Sequence, residues 1–275
     1  MKTRIVALIA ALGLWGALSA APAEAVGDSE GPTPEQAAEA RTFIVNNAIF
    51  VLFHEAGHML ISEFGLPVLG REEDAVDALS AILMLESDTD EFDQAIQDAA
   101  DGWFLLDDSK EVFVESEFLD THALDRQRAY QILCMMTGAD AEYFKVFADS
   151  MDFPQSRREE CVVEYERTKA SWASLLEPHL AKNGKVAKFD IRYEPAGEEA
   201  LQMFADVLQD AKVLEIVAES FSGTYAFKDG ITLTAKSCGE PNAYWHPQER
   251  QLTLCYELAV QHVSLIDGYF KSQKK

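Results

Sequence analysis

The sequence predicts a helix-rich α+β fold, with a mainly helical part over 35–181 and a smaller mixed α/β part over 182–275 that contains a β-hairpin. Three observations carry this. Up to Ala181, long stretches repeat apolar residues at helical spacing and are broken by glycine and proline. After the turn signal Lys182-Asn183-Gly184-Lys185 come short β-type runs separated by turn residues. Apolar residues make up 48% of the 275 positions, which is enough to build a real core.

Residues 1–25 read as a secretory signal peptide outside the fold. Lys2 and Arg4 give a basic start, an apolar run follows from Ile5 to about Ala21, and Ala23-Glu24-Ala25 fits a small-x-small cleavage site. The alternative, a membrane anchor, suits the run less well, because it is short and broken by Gly13, Gly16 and Ser19. Residues 26–34 form a flexible leader rich in glycine and proline.

A first helix spans 35–63 and becomes strongly apolar from Phe43 onward; Gly65, Pro67 and Gly70 end it. A second helix covers 71–85 with Ala75, Ala78, Leu79, Ile82 and Leu83 as its apolar positions. An amphipathic helix follows at 90–106. Two more helices, at 118–137 and 156–181, are joined around Gly138 and Pro154. Beyond the turn, 186–193 alternates like a strand, 198–222 is helical, 231–235 and 252–256 are β-type runs, and 258–270 is a last helix.

Charge narrows the function. Asp and Glu number 47 against 23 Lys and Arg, for a net charge of −24. Cleavage after Ala25 removes two positive charges (Lys2 and Arg4) and one negative (Glu24), leaving −25. Such a chain lacks the basic surface that nucleic-acid binding needs, and strongly acidic substrates are disfavoured. No cysteine precedes Cys134, so none is available for lipid attachment at a new N-terminus. No membrane anchor is therefore expected after cleavage, and the protein belongs in a periplasm or outside the cell. The sequence carries no signal for oligomeric state.

The chemistry sits at 54–58, which reads His-Glu-Ala-Gly-His inside an apolar helical stretch. His54 and His58 are four apart and share one helix face, so both imidazoles can reach one metal ion. Glu55 lies one residue off that line, placed to take a proton from a water polarised by the metal. The alternative is a pair of core histidines satisfied by hydrogen bonds. That would bury three polar groups on one turn, each needing a partner, whereas a metal supplies partners for two. A catalytic zinc usually takes a third protein ligand and keeps one position open. The extended form HExxHxxGxxH is absent, with Ile61 and Phe64 at its later positions. The acidic opening of the second helix offers Glu72, Glu73, Asp74 and Asp77 instead. Acids there also complement the helix dipole, but Asp77 continues into the apolar part.

His-Glu-x-x-His followed by Glu-x-x-x-Asp on a second helix resembles zincins whose third ligand is a glutamate, among them the CAAX-processing membrane proteases. The chain is more closely similar to a bacterial family known as a domain of unknown function with a metallopeptidase label. The motifs that carry this are 51–58 (VLFHEAGH), 66–75 (LPVLGREEDA), 122–128 (HALDRQR) and 132–134 (ILC). The resemblance implies a zincin-like catalytic part in which Glu73 is the third ligand and Asp77 stands behind it. The residues agree, since a glutamate reaches further than an aspartate and adjacent helix positions point about 100° apart. Glu72 is the reserve ligand. Segments 189–195, 238–243 and 255–258 resemble sequence that precedes the His-Glu helix in such proteins. Here they follow it, so the C-terminal part would supply the substrate-side sheet and complete the same catalytic unit.

Other positions are secondary. His122, flanked by Asp120 and Asp125, is either an oxyanion-stabilising group or an exposed helical histidine. Tyr244, His246 and Tyr256 are either donors to a tetrahedral intermediate or hairpin packing. The midpoint between Cys238 and Cys255 falls at His246-Pro247, where a turn is expected. A hairpin there brings these two cysteines together and leaves Cys134 to pair with Cys161. Two functions are compatible with these residues. One is a secreted or periplasmic metallopeptidase with one Zn2+ per chain, acting on peptide or protein substrates. The other is a non-enzymatic secreted binding module with a zinc-stabilised fold. Glu55 leans toward the enzyme, because a purely structural site has no need of it.

Overall fold

The computed structural model describes residues 31–273 apart from 111, 113 and 183; the expected signal peptide and residues 26–30 of the leader lie outside the described residues. Thr33 opens the first helix, α1 (Pro34–Phe64), with a capping box: its hydroxyl accepts from the Gln36 N–H, and the Gln36 side chain accepts from the Thr33 N–H. Pro34 takes the first helical position, where a missing N–H costs nothing. Gly65 ends the helix in the left-handed region at φ 61°, which favours glycine. α1 is long and apolar enough to cross a membrane by length and composition, but it is mostly buried inside the protein. It is apolar nearly all round because other elements surround it.

The short turn after Phe64 lets α2 (Glu72–Leu85) fold back along α1. The two helices come very close at Gly57, where a Cβ would stand 2.9 Å from the Val76 Cβ. A third helix, α3 (Asp90–Asp108), is capped by the Thr89 side chain and packs on α1. Next come α4 (Glu115–Phe118), α5 (Asp125–Ala139), α6 (Lys145–Ser150) and α7 (Gln155–Leu176). The expected helix at 118–137 thus begins only at Asp125, with α4 ending at Phe118 and a loop between. The Asp120 carboxylate accepts from the His122 N–H two residues on, a local turn that competes with helix. The short α6 has no counterpart in the sequence expectation. It follows a similar turn, in which Asp140 Oδ1 accepts from the N–H groups of Glu142 and Tyr143.

In the C-terminal part, the expected helix at 198–222 is split. Lys212 adopts φ 55° and separates α8 (Glu199–Asp210) from α9 (Val213–Ser222). Four strands, β1 (Phe189–Tyr193), β2 (Ile231–Lys236), β3 (Ala243–His246) and β4 (Gln251–Cys255), form one sheet in the order β1-β2-β4-β3. β1, β2 and β4 run parallel, and β3 is an antiparallel edge strand on β4. This is the expected hairpin, and α10 (Tyr256–Gln273) follows it directly. The fold is helix-rich α+β with a small mixed sheet in its C-terminal part.

Both cysteine pairs are joined, Cys134–Cys161 between α5 and α7 and Cys238–Cys255 at the sheet. The second bridge arises differently from the hairpin expectation. Cys255 faces Asn242 across the hairpin, whereas Cys238 lies two residues past Lys236, the parallel neighbour of Cys255 on β2. The bridge therefore ties β4 to the end of β2.

One contiguous core runs through both parts of the chain. Phe53 on α1 meets Phe92 of α3 and Phe221 of α9 edge-on, at 5.4 and 5.3 Å between ring centres. Two polar clamps fix the C-terminal end of α1 to the hairpin. The Trp245 Nε1–H donates to Ser62 Oγ at 2.6 Å, and the Arg250 guanidinium grips both oxygens of Glu63 at 2.6 and 2.7 Å. His179 and His262 serve packing: His179 stacks on Phe64, and His262 lies edge-on to Phe43.

His262 is 8% exposed and its Nδ1 has no hydrogen-bond partner. Burial pushes its pKa down from 6.5 to about 4. The unfolded chain takes up this proton near pH 6.5 and the folded protein only near pH 4. The stabilisation is complete above the higher value and is lost as pH falls between the two, by about 3 kcal/mol in all. Denaturant unfolding from pH 7 to 4 should show this loss, and His262→Leu should flatten it. An unchanged acid limb in the variant would assign the loss to other groups.

Candidate metal centre

His54 and His58 stand one turn apart on α1, and the close approach at Gly57 brings the first two turns of α2 against them. Glu73 Oε2 lies 3.1 Å from His54 Nε2 and 3.2 Å from His58 Nε2, and the two nitrogens are 3.3 Å apart. These three donors lie within 4.8 Å of one another, so the group could hold a metal ion. The far ring nitrogens are held by carboxylates. His54 Nδ1 meets Asp77 Oδ1 at 2.7 Å, and His58 Nδ1 meets Glu72 Oε1 at 2.8 Å. An Nδ1–H donated to a carboxylate leaves the Nε2 lone pair directed at the shared centre. Among the four acidic candidates on α2, Glu73 converges with both Nε2 atoms. Glu72 and Asp77 sit behind the histidines, and Asp74 lies outside the group.

Asp77 is fully enclosed by partners. The Arg128 Nε–H donates to its Oδ2 at 2.7 Å and an Arg128 Nη2–H to its Oδ1 at 2.8 Å, and both side chains are buried. The same guanidinium lies 3.7 Å from the centre of the Trp103 ring. A chain of contacts therefore runs from His54 through Asp77 and Arg128 to Trp103. Sequence reasoning assigned no role to Arg128. The available signal was a cation at the edge of the apolar run of α5, two residues after Arg126, but its partner is 51 positions away.

His122 is in the loop before α5, not on a helix. Its Nδ1 meets Asp120 Oδ1 at 2.9 Å and its Nε2 meets Glu73 Oε2 at 3.1 Å. An Arg71 Nη1–H donates to the His122 carbonyl, tying this loop to the start of α2. The ring stacks on His54 with 6.1 Å between centres. His122 thus stands at the rim of the three-donor group, in contact with Glu73.

A cleft of about 580 Å³ opens over these residues and is lined by His54, Glu55, His58, Glu73 and His122, together with Tyr244 and Trp245 of β3. The other hairpin residues divide. His246 is exposed and edge-on to Tyr244. Tyr256 does not reach the cleft: it is buried at the start of α10, and its hydroxyl donates to the Glu194 carbonyl at 2.7 Å. The reason is local, since the chain turns from strand to helix at that residue and points the ring into the core.

Burial and charge compete at Glu55, Glu73, Asp77, His58 and His54. Burial raises the proton affinity of Glu55, and the nearby His54 and His58 charges and the Trp245 backbone N–H only partly offset it. Burial acts in the same direction on Glu73, but hydrogen bonds from His122, His54 and His58 outweigh it and hold the carboxyl well below the usual range. Asp77 is likewise held low, with Arg128 the main force against burial. Burial disfavours charge on His58, yet its bonds to Glu73 and Glu72 lift its pKa to about 9. His54 is raised too, by Asp77 and then Glu73 against burial.

No curated protein and no solved structure matches the chain. A model of the protein family described as "Putative metallopeptidase" matches residues 23–176 and 193–275, most of the sequence and all of the residues that build the centre. The chain belongs to that family.

Proposed function

We propose that the protein is an exported zinc peptidase that hydrolyses peptide bonds with water as the nucleophile. The observation that carries this reading is the convergence of His54 Nε2, His58 Nε2 and Glu73 Oε2 beside the buried Glu55. Two imidazole nitrogens and one carboxylate oxygen, with both far nitrogens anchored, form a donor set that suits zinc and leaves one position for chemistry. Zinc, when bound, supplies a Lewis acid that polarises the scissile carbonyl and activates water near neutral pH.

The chain's own side chains do the rest. Glu55, made more basic by burial, takes the proton of the attacking water and passes it to the leaving amine nitrogen. His122, oriented by Asp120 at Nδ1, holds its Nε2–H against Glu73 at the rim of the centre, from where it can turn to the oxygen on which negative charge develops. Asp77 and Glu72 fix the orientation of the two ligand imidazoles. The Cys255 N–H donates to the Asn242 carbonyl, so the alternation of an antiparallel pair turns the carbonyls of Ala243 and Trp245 away from β4. That open edge, beside the cleft, is where an extended substrate backbone aligns.

Titrating zinc into metal-free protein should produce hydrolysis of a mixed peptide library that saturates at about one ion per chain. Hydrolysis that persists without metal would contradict the reading. The N-terminal signal pattern and two disulfides, which persist in oxidising compartments, support export. N-terminal sequencing of exported protein should begin near Val26, and a chain still starting at Met1 would refute that part.

A further inference from the structure

The cleft differs at its two ends. Along α1 it extends from Phe50 and Val51, one turn before His54, to Ser62, one turn after His58. That stretch of helix advances about 18 Å, the length of five or six residues of extended peptide. Toward Ser62 the lining is polar, with Glu72 held to His58 one turn before that serine. The other end is walled by three helices. Phe50 and Val51 come from α1, Trp103 and Leu106 are three apart on α3, and Leu258 and Gln261 are three apart on α10. Five of these six are apolar and none is charged. The Trp103 ring is backed by the Arg128 guanidinium, whose charge is already taken by Asp77.

We propose that this end of the cleft is a specificity pocket for one large apolar side chain of a peptide, of the leucine or phenylalanine class. The inference rests on the reading of the centre as the zinc site of a peptidase. An apolar side chain entering here leaves water for a surface that offers it carbon on three sides, and each methylene gained in such a pocket is worth about tenfold or more. A charged side chain would give up its hydration, and Arg128, the charged residue that lines the cleft beside Trp103, already has its charge met by Asp77. The wall begins one helical turn from His54, so the pocket selects the residue flanking the bond to be cut.

Binding tests this without relying on turnover. The probes are short peptide hydroxamates that differ in one side chain next to the chelating group: Leu, Phe, Gly, Asp or Lys. Each is titrated calorimetrically into zinc-loaded wild-type protein. The Leu and Phe probes should bind at least about thirty-fold tighter than Gly, and Asp and Lys no tighter than Gly. In Leu106→Lys the new ammonium reaches the cleft along its own stem. It should move the Asp:Leu affinity ratio at least about tenfold toward Asp, with zinc content unchanged. The wild-type series stands as a test whether or not that variant folds. Equal affinity for all five probes would overturn the pocket and leave the zinc reading intact. If no hydroxamate binds the zinc-loaded protein, the centre has no open position, and the peptidase reading fails together with the pocket.

Discussion

Replacing Glu55 by glutamine should cut peptide hydrolysis by roughly 10²- to 10⁴-fold while the zinc content stays at the wild-type level. Glu55 is not one of the three converging donors, so the ligand set is untouched. Glutamine keeps the shape and an oxygen that can still accept the Trp245 backbone N–H. What it lacks is a site to hold a proton between the attacking water and the leaving amine. His58→Ala, in contrast, should lose metal and activity together. Steady-state cleavage measured beside elemental analysis separates the two cases. Full activity in Glu55→Gln would remove Glu55 from the mechanism even with the metal in place.

Asp77→Ala should have the largest effect on folding. Its carboxylate bonds to His54 and makes two bonds to Arg128, and its side chain is 2% exposed. Removing it strands a buried guanidinium, which costs about 3–5 kcal/mol. It also frees the His54 ring, which should weaken zinc by about 10–100-fold. The two losses can be separated. Adding Arg128→Met removes the stranded charge, so the double variant should recover most of the stability in metal-free denaturant unfolding but not the zinc affinity. A loss below about 1 kcal/mol in Asp77→Ala would mean that the pair is not buried as described.

Part of this centre was legible in the sequence because helical geometry is local. Two histidines four apart on an apolar helix must share a face, and Glu73 and Asp77, also four apart, must share one on the next helix. Glycine and proline between the helices signalled the fold-back, and Gly57 makes the close approach possible. What was illegible depends on distant partners. Glu72 was a reserve donor on helix phase alone, and only the packing of α2 shows it reaching the far nitrogen of His58. Arg128, Trp103 and Trp245 acquire their places from tertiary contacts that no spacing announces. Helix ends at Asp125 and Lys212 are set by a side-chain turn and a left-handed residue, which interrupt an otherwise continuous helical pattern. Tyr256 takes the packing alternative, because a β-type run ends in a helix there and the ring is buried. The cysteine pairing came out as expected although the strand that brings Cys238 to Cys255 is β2, because both routes place the two residues at the same end of the sheet.

The central claim is that His54, His58 and Glu73 hold one zinc ion. Its most direct test is zinc binding by metal-free wild type, Glu73→Ala, Glu72→Ala and Asp74→Ala, each dialysed against a zinc buffer and measured by elemental analysis. Wild type should hold one ion per chain. Glu73→Ala should bind far more weakly, Glu72→Ala should lose about 10–100-fold in affinity through the loosened His58 ring, and Asp74→Ala should match wild type. Glu73→Ala protein that holds zinc as tightly as wild type, while Glu72→Ala does not, would contradict the account.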